Sequence, residues 1–177
     1  MIANTKAAME AVGLPDFNRQ ELLEIALNHP DAIAEQSDLT ASEKQLRSLE
    51  HIGLARVGSL VLTAVVANYL YSRFPDLQPE TLTVIKSDLI DNATRSAFAE
   101  DMGLPHLAHL GTESVWKHEI ARAGMFAELF DAIVGAVYLE CDRDIAVTQS
   151  WLVEHFLAPA VDTLLMEVLV EELIIDN

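Results

Sequence analysis

Residues 48–75 read SLEHIGLARVGSLVLTAVVANYLYSRFP. No proline interrupts the stretch before Pro75, and its apolar residues recur at helical spacing, so it predicts one long helix with a joint near Gly53 or Gly58. Within it, Ala55 and Ser59 are four apart and share a helix face. Small side chains on one face let a second helix approach closely, and neither residue offers a general base or a metal ligand. His51 lies one turn before Ala55 on the same face. It reads either as a neighbour of a site there or as a core or solvent-facing histidine.

The helical period continues outward in both directions, and no stretch alternates apolar and polar residues as a strand would. Asp16 or Asn18 is a cap for a first helix over RQELLEIALNH, ended by Pro30. The polar connection DAIAEQSDLTAS leads to Ser42 and Gln45, which read as a capping box for the long helix. After the break at PDLQP, Pro79 opens a helix expected to run unbroken to Gly103, and LPHLAHLGTE is a turn holding one helical turn. Another long helix is expected over residues 114–140, then one capped by Asp142 or Asp144, with Pro159 allowing a bend. The chain therefore divides into a lead-in (1–16), a helical domain (17–158) and an acidic amphipathic C-terminal helix (159–177), which either folds back on the core or docks a partner. The fold class is all-α.

The chain has 177 residues, half of them hydrophobic, which is enough for one real core. Its 28 acids against 11 Lys and Arg give a formal charge of -17. That field repels phosphate backbones, so RNA contact would need a local basic patch, a metal ion or a partner. The one cysteine, Cys141, excludes an internal disulfide and sits among acids that raise its pKa. The N-terminal residues carry no signal-peptide run, and the most apolar window, residues 58–71, is shorter than the ~20 residues of a membrane span. A cytoplasmic protein without a membrane partner is expected.

Glu128 and Asp131 are three apart in the otherwise apolar FAELFDAIVGAVYLE. Two acids on one face beside a core are either solvated or hold a cation, and carboxylate oxygens are what Mg²⁺ prefers. His106 and His109 share a face but lack a third ligand, and His29 at a helix end complements the helix dipole. No phosphate-binding loop, dinucleotide glycine pattern, CxxC or nucleophile elbow is present.

Four segments together resemble the ribonuclease III catalytic domain. ELLEIALNHP is similar to its opening helix, which ends in Leu-Thr-His. LARVGSLVLTAVVANYLYSRFP is similar to the signature helix Leu-Glu-Phe-Leu-Gly-Asp-Ala-Val-Leu. LTVIKSDLIDNATRSAFAEDMGL resembles the next, with Lys86 and Asn92 where a basic residue and Asn are usual. AELFDAIVGAVYLE resembles Ala-Asp-Ala-Phe-Glu-Ala-Leu-Ile-Gly-Ala-Ile-Tyr-Leu, with Phe130, Ala132, Gly135, Ala136, Tyr138 and Leu139 fitting.

The resemblance implies an all-helical fold of about seven to nine helices, a homodimer, and cleavage of double-stranded RNA with Mg²⁺ or Mn²⁺ held by four acids from two helices. It is closest to the compact form without a double-stranded-RNA-binding module. By position, the first acid pair falls on Ala55 and Ser59, and the second on Glu128 and Asp131 with the acid types exchanged. A shifted register would keep Glu50 but needs five extra residues, which turn a helix by about 140°. Glu128 and Asp131 are thus the catalytic and metal-binding candidates, with only weak ion binding expected of the pair.

Three functions follow: a degenerate ribonuclease III-like dimer acting in binding or assembly around RNA or a ribonucleoprotein, an active Mg²⁺-dependent nuclease using Glu128 and Asp131, or a helical interaction protein docking through its C-terminal helix.

Overall fold

The computed structural model describes residues 2–14, 17–112 and 118–175, the side chains of 2–5 and 167–175 excepted. The described residues form α1 (Ile2–Val12), α2 (Gln20–Ala26), α3 (Pro30–Glu35), α4 (Ala41–Arg73), α5 (Pro79–Leu89), α6 (Asn92–Asp101), α7 (Leu104–Leu107), α8 (Glu119–Glu140), α9 (Ile145–Leu152) and α10 (Ala158–Ile175). A π-turn, Val153–Leu157, joins α9 to α10 without a break, so the helical segments make nine rods. One isolated bridge between Asn28 and His109 is the sole β feature among the described residues. The fold is all-α, as the helical period of the sequence requires.

Helices α4 and α8 form the most extensive pair and the centre of the molecule. Two glycines let them touch. A Cβ on Gly58 would lie 1.7 Å from the Asp131 carbonyl oxygen, and one on Gly135 would lie 2.3 Å from that of Leu54. The contact is backbone against backbone, which only glycine permits. It sets Ala55 and Ser59, on either side of Gly58, against the Glu128–Asp131 stretch of α8. Around this axis Leu62, Val65, Val66, Leu129, Ile133 and Val134 are fully buried or nearly so. An aromatic cluster closes one end, with Phe98, Phe130 and Phe156 at ring separations of 5.1–5.3 Å and Trp151 at 5.5 Å from Phe156.

Several local details depart from the sequence pattern. The long α4 has no joint at Gly53 or Gly58, and its capping box is Thr40 with Glu43, not Ser42 with Gln45. Asn18 does not cap α2. Its backbone and side chain donate to the Glu140 carboxylate at 2.8 and 3.3 Å, and Arg19 is the capping position; Asp16 lies outside the described residues. Pro30 does not end that helix but begins α3, because its missing N–H costs nothing at a first helical position. The span from 79 to 103 is two helices, since the Asp91 side chain accepts from Thr94 N–H at 2.7 Å and starts α6 afresh. The helix expected from residue 114 begins, as described, at Glu119. Pro159 makes no break: the i→i+5 pattern just before it absorbs the missing donor.

Helix α1, unmarked in the sequence pattern, buries Ala8 and Val12, and Trp151 Nε1 donates to the Val12 carbonyl at 2.8 Å. In α10, Val161 is buried and Leu164 and Leu165 pack on the core, so its first half folds back on the chain. Helix α4 runs on past the apolar window and, by length and composition alone, could cross a membrane. Its packing against α8 gives it the place of a core helix instead.

Candidate active-site pocket

The α4–α8 crossing opens on one side into a pocket of about 490 Å³. Ala55, Arg56 and Ser59 line it from α4, Asn92 and Arg95 from α6, and Glu128 and Asp131 from α8. The structure therefore brings all four motif positions together. Glu50 of the shifted register is exposed and lines a different pocket, with Arg47 and His109. That geometry supports the ungapped register. Of the two residues expected on the intervening helix, Asn92 lines the pocket and Lys86 is not among its lining residues.

The residue that decides the chemistry is one the sequence pattern passed over. Arg95 Nη1 donates to Asp131 Oδ2, Nη2 donates to Asn92 Oδ1 at 2.7 Å, and Nε donates to the Asp91 carbonyl at 3.2 Å. The spacing of Asn92 and Arg95, one helical turn apart behind an Asp cap, was the available signal. Asp131 is 5% exposed, and its Oδ1 has no hydrogen-bond partner among the described residues. Burial pushes its carboxyl up to about 7, against the pull of Arg95, with Glu128 adding to the rise and Arg56 opposing it.

Mg²⁺ takes oxygen ligands in near-octahedral geometry. Here α4 presents a methyl group and a hydroxymethyl where carboxylates would be needed. Of the two acids on α8, one is already paired to a guanidinium. A divalent ion beside Asp131 would meet that fixed positive charge at close range. The residues present do not fit an ion caged by carboxylates.

Glu128 is partly exposed and faces two histidines: His51 Nε2 lies 3.8 Å from Oε1, and His29 Nε2 lies 3.9 Å from Oε2. His51 is fully buried, with Nδ1 donating to the Ile25 carbonyl at 3.0 Å. Burial holds its pKa below the usual histidine value, with the Ile25 hydrogen bond opposing. His29 does not serve the dipole of α2. It caps α3, its Nδ1 accepting from Asp31 N–H at 3.2 Å, and burial lowers its pKa too. His106 and His109 are exposed and do not join a metal-like group among the described residues. The Cys141 thiol is pushed up by burial, then by Glu140, Asp144 and Asp142, which argues against a reactive thiolate.

This is an all-helical domain with an acid-lined pocket between its two central helices. The Ribonuclease III domain model matches residues 53–142, and the chain belongs to that family, whose members are in general dependent on divalent metal. The ribonuclease 3 of Lactiplantibacillus plantarum is 28% identical over 130 residues, covering 71% of this chain and 55% of that protein. The ribonuclease 3 of Chlamydia felis is 30% identical over 124 residues, covering 70% and 49%. The chain thus spans about half the length of the curated relatives it matches. The nuclease domain of ribonuclease III from Campylobacter jejuni, described for structural flexibility in a region involved in dimer formation, superposes with a TM-score of 0.66 at 18% identity, covering 85% of this chain and 94% of that one. That likeness supports the fold.

Proposed function

We propose that this chain is a catalytically impaired ribonuclease III domain that works in the cytoplasm as a dimeric binding or assembly component in RNA processing. The Arg95–Asp131 pair, set opposite Ala55 and Ser59, carries the reading. Phosphodiester cleavage by metal needs ions clamped by several carboxylates. This pocket places a fixed cation on one of its two acids and offers none from α4. The charge of -17 further opposes a bare grip on duplex RNA. If Glu128 and Asp131 bind Mg²⁺ or Mn²⁺ at all, they bind it weakly.

For assembly, Leu46, Leu49 and Ile52 are exposed at three-residue spacing along α4, an apolar stripe of the kind that a second copy covers. The Campylobacter domain has a region involved in dimer formation, which is in keeping with a dimer here without locating its interface.

The test is a long RNA duplex incubated with the purified chain and Mg²⁺ or Mn²⁺, beside Asp131→Ala. No cleavage above background is expected from either protein. Cleavage by the native chain that vanishes in Asp131→Ala would instead establish an active nuclease working through Glu128 and Asp131. Sedimentation velocity on a Leu46→Glu/Leu49→Glu variant should show a monomer where the native chain sediments as a dimer; an unchanged dimer would place the interface elsewhere.

A further inference from the structure

His51 presents an unusual arrangement. A carbonyl oxygen can only accept, so the 3.0 Å contact to Ile25 places the proton on Nδ1. The lone pair of the neutral ring is then on Nε2. That atom is enclosed, has no hydrogen-bond partner among the described residues, and lies 3.8 Å from the Glu128 carboxylate. Two acceptors face one another at 3.8 Å, and one of them is fully buried. Such an arrangement is stable when something positive bridges the gap.

His29 completes the set. Its ring meets that of His51 edge to face, with centroids 5.5 Å apart, and its Nε2 lies 3.9 Å from the other Glu128 oxygen. One ligand atom from each of the three residues falls within 4.8 Å of the others. Each residue comes from a different part of the fold: His29 from the α2–α3 junction, His51 from α4, Glu128 from α8.

We propose that His29, His51 and Glu128 bind one divalent transition-metal ion of the Zn²⁺ class, with a fourth position open to water or a ligand. Two imidazole nitrogens and one carboxylate oxygen suit Zn²⁺ and its neighbours, not Mg²⁺, which demands oxygen. Bonds of about 2.0–2.1 Å in a tetrahedron put ligand atoms roughly 3.3 Å apart. The gaps of 3.8 and 3.9 Å to the two Glu128 oxygens would close by about half an ångström, and any separation as wide as the 4.8 Å limit of the set by about 1.5 Å. The movable partner is Glu128, whose side chain is 39% exposed and gives the ion its entry path.

The outer contacts fit as well. Metal-bound histidines donate their second N–H to a carbonyl or carboxylate. For His51 that acceptor is the Ile25 carbonyl. For His29 it is Asp31, whose Oδ2 stands 3.5 Å from Nδ1. Binding would move the Nδ1 hydrogen bond from the Asp31 N–H to the Asp31 carboxylate, making Asp31 a positioning residue. The ion would also draw Glu128 toward the histidines and away from Asp131. Glu128 also lines the α4–α8 pocket, so Zn²⁺ uptake is measured directly, apart from any cleavage of RNA.

The full chain, freed of metal with a chelator, is titrated calorimetrically with Zn²⁺ and with Mg²⁺, and separately with Co²⁺ while its visible absorption is followed. One Zn²⁺ per chain is expected, with Mg²⁺ at least about 100-fold weaker and a Co²⁺ spectrum of low coordination number. Glu128→Gln and His51→Asn should each weaken Zn²⁺ by about 100-fold or more, and Asp31→Asn by about tenfold. A His106→Gln/His109→Gln control should bind as the native chain does. Because His51 is in the core, Glu128→Gln, at a partly exposed position, keeps the test decisive if His51→Asn does not fold. Absence of Zn²⁺ uptake, uptake unaltered by Glu128→Gln, or Mg²⁺ binding as tightly as Zn²⁺ would each overturn the site.

Discussion

The guanidinium of Arg95 donates to Oδ2 of Asp131, while Oδ1 of the same carboxylate is buried without a partner among the described residues. The acid is therefore half satisfied, and Arg95 supplies its main compensation. Arg95→Met keeps much of the side-chain volume and removes the charge. Breaking a buried ion pair from one side costs on the order of 3 kcal/mol, because the remaining charge is uncompensated. That loss is expected at pH 8. At pH 5 the carboxyl can take up a proton instead, and the loss should shrink. Urea unfolding of native and variant chains at both pH values checks this; an equal loss at both would mean that Arg95 acts through packing.

Burial lifts Asp131 from an ordinary 3.8 to about 7. Between those values the folded chain holds a proton that the unfolded chain releases. The contribution of this group to stability therefore falls as pH rises from about 4 to about 7, then levels. His29 and His51 work the other way. Burial lowers both below 6.5, so each removes stability as pH falls through and below that value. Asp131→Asn deletes the first slope and leaves the second. The unfolding free energy of the variant minus that of the native chain should climb from pH 4 to pH 7 and stay flat above. A difference independent of pH would show that Asp131 titrates normally.

The glycines of the α4–α8 crossing make a sharp contrast with one a turn away. Gly58→Ala would drive a methyl to 1.7 Å from the Asp131 carbonyl oxygen, with Gly135 N at 2.6 Å. Backbone atoms cannot swing aside, so the helices must separate. The cost should exceed about 3 kcal/mol, the upper end of ordinary overpacking. Gly53→Ala meets nothing within 4 Å and should stabilise α4 by about 0.5–1 kcal/mol. Thermal unfolding of the two variants should shift in opposite directions. Similar shifts would contradict the close crossing.

Much of this crossing was legible beforehand. Ala55 and Ser59 mark a face for close approach, and Glu128 and Asp131 share another, because helical spacing converts directly into shared faces; that the two faces meet came from the family resemblance, and Gly58, expected as a joint, is instead the contact point. Arg95 was not legible in the same way. Its role comes from the turn at Asp91, which breaks one expected helix into α5 and α6 and aims the new helix at the pocket. The pairing of His29 with His51 was hidden for a similar reason. It depends on α3 starting at Pro30, where proline reads equally well as a stop or a start. Local pattern fixes which residues share a helix face, but junction geometry decides which faces meet.

The same ambiguity touches the start of α4, where two caps are two residues apart. Ser42 with Gln45 and Thr40 with Glu43 both have the spacing of a capping box. In the structure Thr40 Oγ1 accepts from Glu43 N–H at 3.3 Å, and Glu43 Oε2 accepts from Thr40 N–H at 2.8 Å and from its hydroxyl at 2.6 Å. Those bonds hold the Glu43 carboxyl below the usual range, the Thr40 hydroxyl contributing most. Ser42 is already inside the helix and exposed. Thr40→Ala should therefore destabilise by about 1 kcal/mol, whereas Ser42→Ala should be neutral or slightly stabilising, since Ala is the better residue inside a helix. Chemical denaturation of the pair decides the register of the cap. Should Ser42→Ala be the more costly, α4 would begin two residues later than Ala41.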